Sequence, residues 1–367
     1  MGEPELAPPG SFLHQWTSTP EFDDAAAVHM VGDLLFVYGE DNLVAAYDTS
    51  GGLKFRTMVG TKHDVVGEPL VQPDRVVFPL SSGLEIYTRE GVRRRTIPFD
   101  QPIRSPGVIS GETVYIGTDS AQGGRIAAIA LDRQYSVSRW TRLVGGVVHT
   151  KPAFYENILY VATDTGHVVA LTTDPVILWP RSPEMPDSMF HTNGRISAAV
   201  QADEAGVFIP SSDTKLYCID GTTGRVRWEY LSGQPIGTSP QLSSDMVYLH
   251  MPDRGLVALN KKNDGRIAKP KWIAPEGVKV LSDDAKNAYV LTNSGSIAAI
   301  DKQTGVTQFT TRRNDFIDGV AHFDPKDNTI YALAESGTLV AIQPVLRAGV
   351  VGVLVMSDSE PQQLASR

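Results

Sequence analysis

One short strand pattern recurs eight times along this chain, and few folds are open to a chain that repeats at this period. Each copy reads hydrophobic–aromatic–hydrophobic, then a turn-forming stretch, then a second apolar strand that ends in a small residue. The anchors of the first strand are Phe36, Val77, Tyr115, Tyr160, Phe208, Tyr248, Tyr289 and Tyr331, roughly 38–48 residues apart, which is the period of a four-stranded propeller blade. A unit of that size cannot bury both faces of its own sheet. Stacking units radially buries each face against a neighbour and leaves only short edges. The expected fold is therefore all-β, an eight-bladed β-propeller running from about Ala25 to Gln343. As domains this gives an N-terminal extension over 1–12, the propeller over 13–349, and a C-terminal strand or tail over 350–367.

The second apolar strand carries the sharpest column. Ala46, Ala128, Ala170, Cys218, Ala258, Ala299 and Ala341 fall at one position, with Ile86 departing in the second copy. A small residue kept there implies a crowded contact between adjacent blades, where a large side chain would overpack. Cys218, the only cysteine, then reads as a small core hydrophobe, and no intrachain disulfide is open to the chain. Two residues further on come Asp48, Asp220 and Asp301, suited to capping the next turn. An aromatic then starts the outer strand: Phe55, Trp140, Trp179, Trp228, Trp272 and Phe309.

These residues carry a family resemblance. The run Cys218-Ile219-Asp220-Gly221-Thr222-Thr223-Gly224 through Trp228 resembles the tryptophan-docking motif of PQQ-like (quinoprotein) propeller repeats. Ala299 to Phe309 matches it with Phe for Trp, and Ala46 to Phe55 matches with one residue deleted. WD40 repeats share the period, but no Trp-Asp dipeptide occurs. Kelch repeats are disfavoured because Gly51-Gly52, Gly123-Gly124 and Gly145-Gly146 do not share a repeat position.

Ring closure makes a separate demand. Leu13-His14-Gln15-Trp16-Thr17-Ser18 reads as an outer strand without the three inner strands that should precede it. It is expected to pair with the last blade; the apolar run 350–356 is the competing strand. The stretch 172–195 departs most from the repeat. It carries Pro175, Pro180, Pro183 and Pro186, then Met189 to Arg195, and long loops on a rigid scaffold are good places for binding residues.

Charge excludes some functions. The chain has 33 Lys and Arg against 42 Asp and Glu, a net charge of -9, whereas a nucleic-acid surface needs clustered cations. The one basic run, Arg93-Arg94-Arg95, reads as a solvated outer edge. No run approaches the ~18–20 apolar residues of a transmembrane helix. The first residues show no secretory signal. The eight histidines lack metal-ligand spacing, and no nucleophile elbow or phosphate loop is present.

The resemblance implies two readings. The first is a non-catalytic, protein-binding scaffold similar to the BamB-type outer-membrane assembly propellers, with a periplasmic or cell-envelope location, protein partners and no cofactor. The second is a degenerate quinoprotein that binds PQQ, a sugar or another small ligand in the central funnel, with enzymatic activity open. The single cysteine disfavours PQQ dehydrogenase chemistry, because the family's dehydrogenases set an adjacent cysteine pair beside the cofactor. On either reading the binding residues are expected on segments that join one blade to the next. The candidates are Phe190, His191 and Arg195 on the long loop, and Arg104, Lys151, Lys279, Glu68 and Asp318 around the funnel. No catalytic or metal-binding residue is assigned.

Overall fold

The computed structural model describes residues 10–345, apart from 21, 23, 100, 120–122, 133–137, 180, 182–184, 186, 264 and 322–327. Eight sheets follow one another along the chain, antiparallel but for one short added strand. Seven follow in chain order, over 27–58, 70–98, 108–143, 153–191, 201–231, 241–274 and 277–310, except that the short strand Ile267–Ala268 leaves the sixth to join the fifth. The eighth joins Phe316–Ala321, Ile330–Ala334 and Leu339–Val345 to Ser11–Ser18 from the other end of the chain. This is an eight-bladed β-propeller, numbered here as blades 1 to 8, each with inner, second, third and outer strands. The only helix among the described residues is a three-residue 3-10 turn, Glu40–Asn42. No described helix is long and apolar enough to cross a membrane.

Strand pairing explains the repeat. In every blade the second-strand anchor lies opposite the small residue of the third strand: Phe36 faces Ala46, Tyr115 Ala128, Tyr160 Ala170, Phe208 Cys218, Tyr248 Ala258, Tyr289 Ala299 and Tyr331 Ala341, while Val77 faces Ile86. On the outer side the small residue faces the aromatic. Ala46 pairs with Phe55, Ala128 with Trp140, Cys218 with Trp228, Ala258 with Trp272 and Ala299 with Phe309. A short side chain between two rings leaves room for both to lean onto the next blade. The hydrophobic core is accordingly divided into eight clusters, each shared by two neighbouring blades. Cys218 is fully buried in one of them, and burial pushes its thiol up to about 12, which leaves it an inert hydrophobe.

The tryptophans do more than fill space. Each indole N–H donates to a carbonyl in the third-to-outer turn of the following blade: Trp140 to Thr173 at 2.9 Å, Trp179 to Gly221 at 2.8 Å, Trp228 to Lys261 at 2.8 Å and Trp272 to Lys302 at 3.0 Å. The accepting residue always stands three positions after the small one. Blade 2 has no aromatic in this slot, and Arg95 replaces it. Arg95 pairs with Ile86, and its guanidinium donates at 2.9 Å to the carbonyl of Leu131, the same turn position in blade 3. The basic run is therefore not uniformly a solvated edge. Arg94 is exposed, Arg93 pairs with buried Glu85 at 2.9 Å, and Arg95 is half-buried in an inter-blade bond.

Asp48, Asp220 and Asp301 cap the turns as their spacing predicts. Asp220 accepts from the Thr222 and Thr223 amides, and Asp301 from those of Gln303 and Thr304. The turn glycine Gly305 has φ +75°, and a Cβ there would lie 2.4 Å from Trp272. Backbone handedness and the docked ring both require glycine at that position.

The N-terminal segment clasps the ring. Ser11–Ser18 runs antiparallel to Leu339–Val345 and sets Trp16 opposite Ala341. Trp16 donates to the Thr49 carbonyl of blade 1 at 3.1 Å. The first tryptophan of the chain thus fills the docking slot of its last blade. The competing run 350–356 lies outside the described residues.

Candidate functional site

Strand alternation puts the outer-to-inner connections and the second-to-third hairpins on one face of the ring. The inner strands line the central channel, so residues at the beginnings of these strands ring its mouth. Four of the residues singled out in the sequence occupy such positions: Glu68 just before Leu70–Val71, Lys151 just before Ala153–Tyr155, Lys279 within Gly277–Asp283 and Asp318 within Phe316–Ala321.

They pair with one another. Lys151 of blade 4 donates to Glu68 of blade 2, reaching past blade 3. Lys279 of blade 7 donates to Asp318 of blade 8 at 2.7 Å. Asp318 also accepts the Val28 amide at 3.1 Å, which ties the last blade to the first. His29 completes the group, with Nδ1 3.7 Å from Glu68 and its ring edge-on to Tyr38 at 5.3 Å. Spacing rules had no reason to select His29, which stands alone in the apolar run Ala27–Val31. The signal that finds it is positional, since alternate residues of an inner strand face the channel.

The electrostatics follow from partial burial. Burial pushes the Glu68 carboxyl up, but the Lys151 ammonium outweighs it, with His29 and Lys279 adding to the pull, and holds the group below the usual carboxylate range. Burial lowers the His29 imidazole, against the opposing pull of Glu68 and Asp318. Burial also raises the Tyr38 phenol, and Glu68 raises it further. Replacing Lys151 by Met removes the main charge that opposes burial. The Glu68 carboxyl is then expected to titrate above its ordinary value instead of below it. Carbon-detected NMR of Glu68 across pH 3–8 reads this directly, and an unmoved titration would mean that the two side chains do not meet in solution.

The other candidates do not join these pairs. Arg104 turns to Asp119, with its Nε 2.9 Å from the carboxylate. On the long loop, the outer strand of blade 4 is split. Leu178 bonds to Ala170, and Trp179 docks on blade 5. The chain then leaves the sheet and returns as Phe190–His191, paired to Val168 and His167. Phe190 is a correction to the sequence reading. It is only 7% exposed, edge-on to Tyr217 at 5.4 Å in the core shared by blades 4 and 5, so its ring offers no contact surface. Met185 is buried in the same cluster against Gly224, so the excursion packs onto the propeller. Pro180, Pro183 and Pro186 lie outside the described residues. His191 and Arg195 do reach the surface. His191 packs on His167 with ring centres 4.4 Å apart and approaches Asp187 at 3.8 Å. Arg195 is 77% exposed and lies 3.7 Å from Asp164. Burial, with His191 beside it, lowers the His167 imidazole. Among the described residues, no group of three or more His, Cys, Asp or Glu side chains is arranged to hold a metal ion.

Comparison with known proteins follows the same lines. The sequence model of a family described as outer membrane protein assembly factor BamB matches residues 177–351, just under half of the chain. The outer membrane protein assembly factor BamB of Yersinia pestis is 24% identical over 246 residues, covering 60% of this chain and 61% of that protein. Across the curated relatives it matches, the chain spans 48–61% of their length. In three dimensions the chain is similar to BamB from Moraxella catarrhalis, with TM-score 0.66 and 16% identity over 90% of this chain and 97% of that one. It is equally similar to the computationally designed Ika8 protein, with TM-score 0.66 and 14% identity over 89% and 98%. A designed protein matching as well as a natural one shows that the structural likeness is one of fold. Taken with the docked tryptophans and the repeat motif, the comparisons show an eight-bladed β-propeller whose repeats are similar to those of the BamB-type outer membrane protein assembly factors.

Proposed function

We propose that this propeller is a non-catalytic scaffold of the cell envelope that binds protein partners through the face bearing the channel mouth. The observation that carries the reading is the mutual neutralisation of the funnel charges. Glu68 is answered by Lys151, and Asp318 by Lys279. A catalytic or cofactor site aims unanswered groups at a common point, where charge develops or a ligand sits. Here the charged groups are satisfied by one another and leave a mixed, polar rim of the kind suited to a protein surface. The relatives' description as outer membrane protein assembly factors supports the same class of role and the envelope location.

The long-loop contribution to this face reduces to His191 and Arg195. A pull-down from envelope extract with wild type and with His191→Ala/Arg195→Ala is the test. Loss of the captured partners from the double variant, with unchanged thermal unfolding, is the expected result. Identical partner sets would remove this loop from the binding face. Titration with PQQ and Ca²⁺ tests the scaffold reading itself, which a saturable complex with altered quinone absorbance would overturn.

A further inference from the structure

A groove opens along the seam between blades 7 and 8, from the outer-to-inner connection Thr311–Arg313 to the N-terminal strand at Gly10–Phe12. Its volume is about 530 Å³, and its apolar lining is Phe12, Phe316, Val340 and Ile342. The last three are buried core residues whose edges form the floor. The groove has a local cause. Behind the groove's Phe12, blade 7 carries Phe309, ring centres 5.2 Å apart, where blades 3 to 6 carry a docked indole. The seam between blades 2 and 3, where Arg95 stands in for the indole, also has a cavity. A ring smaller than indole leaves the inter-blade gap underfilled.

The rim has a sign. His14, Arg312 and Arg313 line the groove, and no carboxylate does. Arg313 is engaged by Asp315 at 2.7 Å and lies 5.1 Å from the centre of the Phe316 ring. Arg312 is exposed and has no ion-pair partner among the described residues. In a chain of net charge -9 this is a local reversal, with a cation free to meet an incoming anion. The fold also shows that an outer edge of this ring accepts an added strand. Ile267–Ala268 lies parallel to the outer strand of blade 5, opposite Glu229 and Tyr230.

We propose that this groove docks an extended acidic segment of a partner protein. One large apolar side chain of the segment sits on the Phe12–Phe316–Val340–Ile342 floor. Its carboxylates meet Arg312, and its backbone runs along the Thr307–Thr310 edge. The proposal uses none of the paired funnel charges Glu68, Lys151, Lys279 and Asp318.

The probes are two fluorescein-labelled nine-residue peptides with the same Val/Phe pattern, one with Glu and one with Lys at the intervening positions. Fluorescence polarisation is expected to show saturable binding of the Glu peptide, about 10-fold or more tighter than the Lys peptide and weakened by salt. Arg312→Glu should reverse that preference. Phe309→Trp, which puts into blade 7 the residue that blades 3 to 6 already use, should press the larger ring on Phe12, narrow the groove and weaken binding about 10-fold. Circular dichroism and thermal unfolding of both variants confirm that they fold. Equal binding of the two peptides, or indifference to both substitutions, overturns the proposal. So does concentration-dependent dimerisation that Arg312→Glu abolishes, because the occupant is then a second copy of the chain.

Discussion

Removal of residues 1–18 is expected to destabilise this propeller more than any single core substitution, and to turn a closed ring into a self-associating one. The strand Ser11–Ser18 gives Leu339–Val345 seven register partners. Without it, the third strand of blade 8 becomes a bare edge, with a row of unpaired amides and carbonyls that invites another chain. Two aromatic anchors leave with the strand. Phe12 packs on Tyr289 at 6.1 Å and Phe309 at 5.2 Å, and Trp16 packs on Tyr331 at 5.8 Å. Truncating one buried aromatic residue costs about 3–5 kcal/mol. These two are half-buried, so together they account for a loss of that order before any strand pairing is counted. The bond from Trp16 to Thr49 is also lost, and with it a tie between blades 8 and 1. Urea unfolding should show a midpoint well below wild type, and size-exclusion chromatography a shift to higher mass. Trp16→Phe is the graded control. It keeps a ring in the slot, as blades 1 and 7 do with Phe55 and Phe309, and should cost only about 1 kcal/mol for the lost hydrogen bond. A truncated chain with wild-type unfolding and mass would show that the ring does not depend on its clasp.

That clasp was legible in the sequence for a physical reason. Trp16 stands in a strand pattern with no preceding partners, and a propeller needs four strands in every blade. The small-residue column was legible because crowding between two rings admits few side chains, so Ala46, Ala258 and Ala341 announce the seam wherever they occur. Arg95 was not legible. Read locally, three consecutive arginines look like solvent-facing charge, and only the register with Ile86 and Leu131 shows one of them standing in for an indole. Phe190 misled in the opposite direction. An aromatic residue in a proline-rich departure from the repeat looks like a binding residue, whereas the split outer strand of blade 4 brings it back into the core. At the channel mouth, the connecting segments could be placed from the repeat alone, which brought Glu68, Lys151, Lys279 and Asp318 into view. Their pairing could not. Glu68 and Lys151 are 83 positions apart and two blades removed, a contact set by ring curvature and not by local pattern.

The second large effect is expected at a lysine that the sequence did not single out. Lys302 stands in the third-to-outer turn of blade 7, where its carbonyl receives the Trp272 indole. Its side chain is 3% exposed and lies between Asp245 of blade 6 at 2.6 Å and Asp283 of blade 7 at 2.8 Å. Asp283 is 6% exposed and also accepts the Tyr248 hydroxyl at 2.9 Å. Lys302→Met keeps the aliphatic stem and leaves Asp283 buried without its cation. Breaking a buried pair from one side costs about 3–5 kcal/mol, because the remaining charge is uncompensated. The exposed pair between Arg89 and Asp33, at 2.6 Å, is shorter than one of these contacts, yet Arg89→Met should cost only about 0–1 kcal/mol of ion-pair energy. The difference comes from desolvation. Lys302→Met/Asp283→Asn should recover part of the loss, because a neutral amide can still accept from Tyr248 without carrying a buried charge. The pH dependence has a fixed sign on both sides. Burial raises the Asp245 carboxyl, but the Lys302 hydrogen bond and charge outweigh it and hold the group below its ordinary value. Its contribution is therefore present above the unfolded carboxylate pKa and lost as pH falls through the folded one. Burial lowers the Lys302 ammonium, but the hydrogen bonds to Asp245 and Asp283 outweigh it and leave the group raised. That contribution is present below the unfolded lysine pKa and lost as pH rises through the folded one. Wild type should thus lose part of its margin over Lys302→Met at acid pH and again at strongly alkaline pH, in urea unfolding run at matched ionic strength. A margin flat from acid to alkali would mean that Lys302 supports the seam by packing alone.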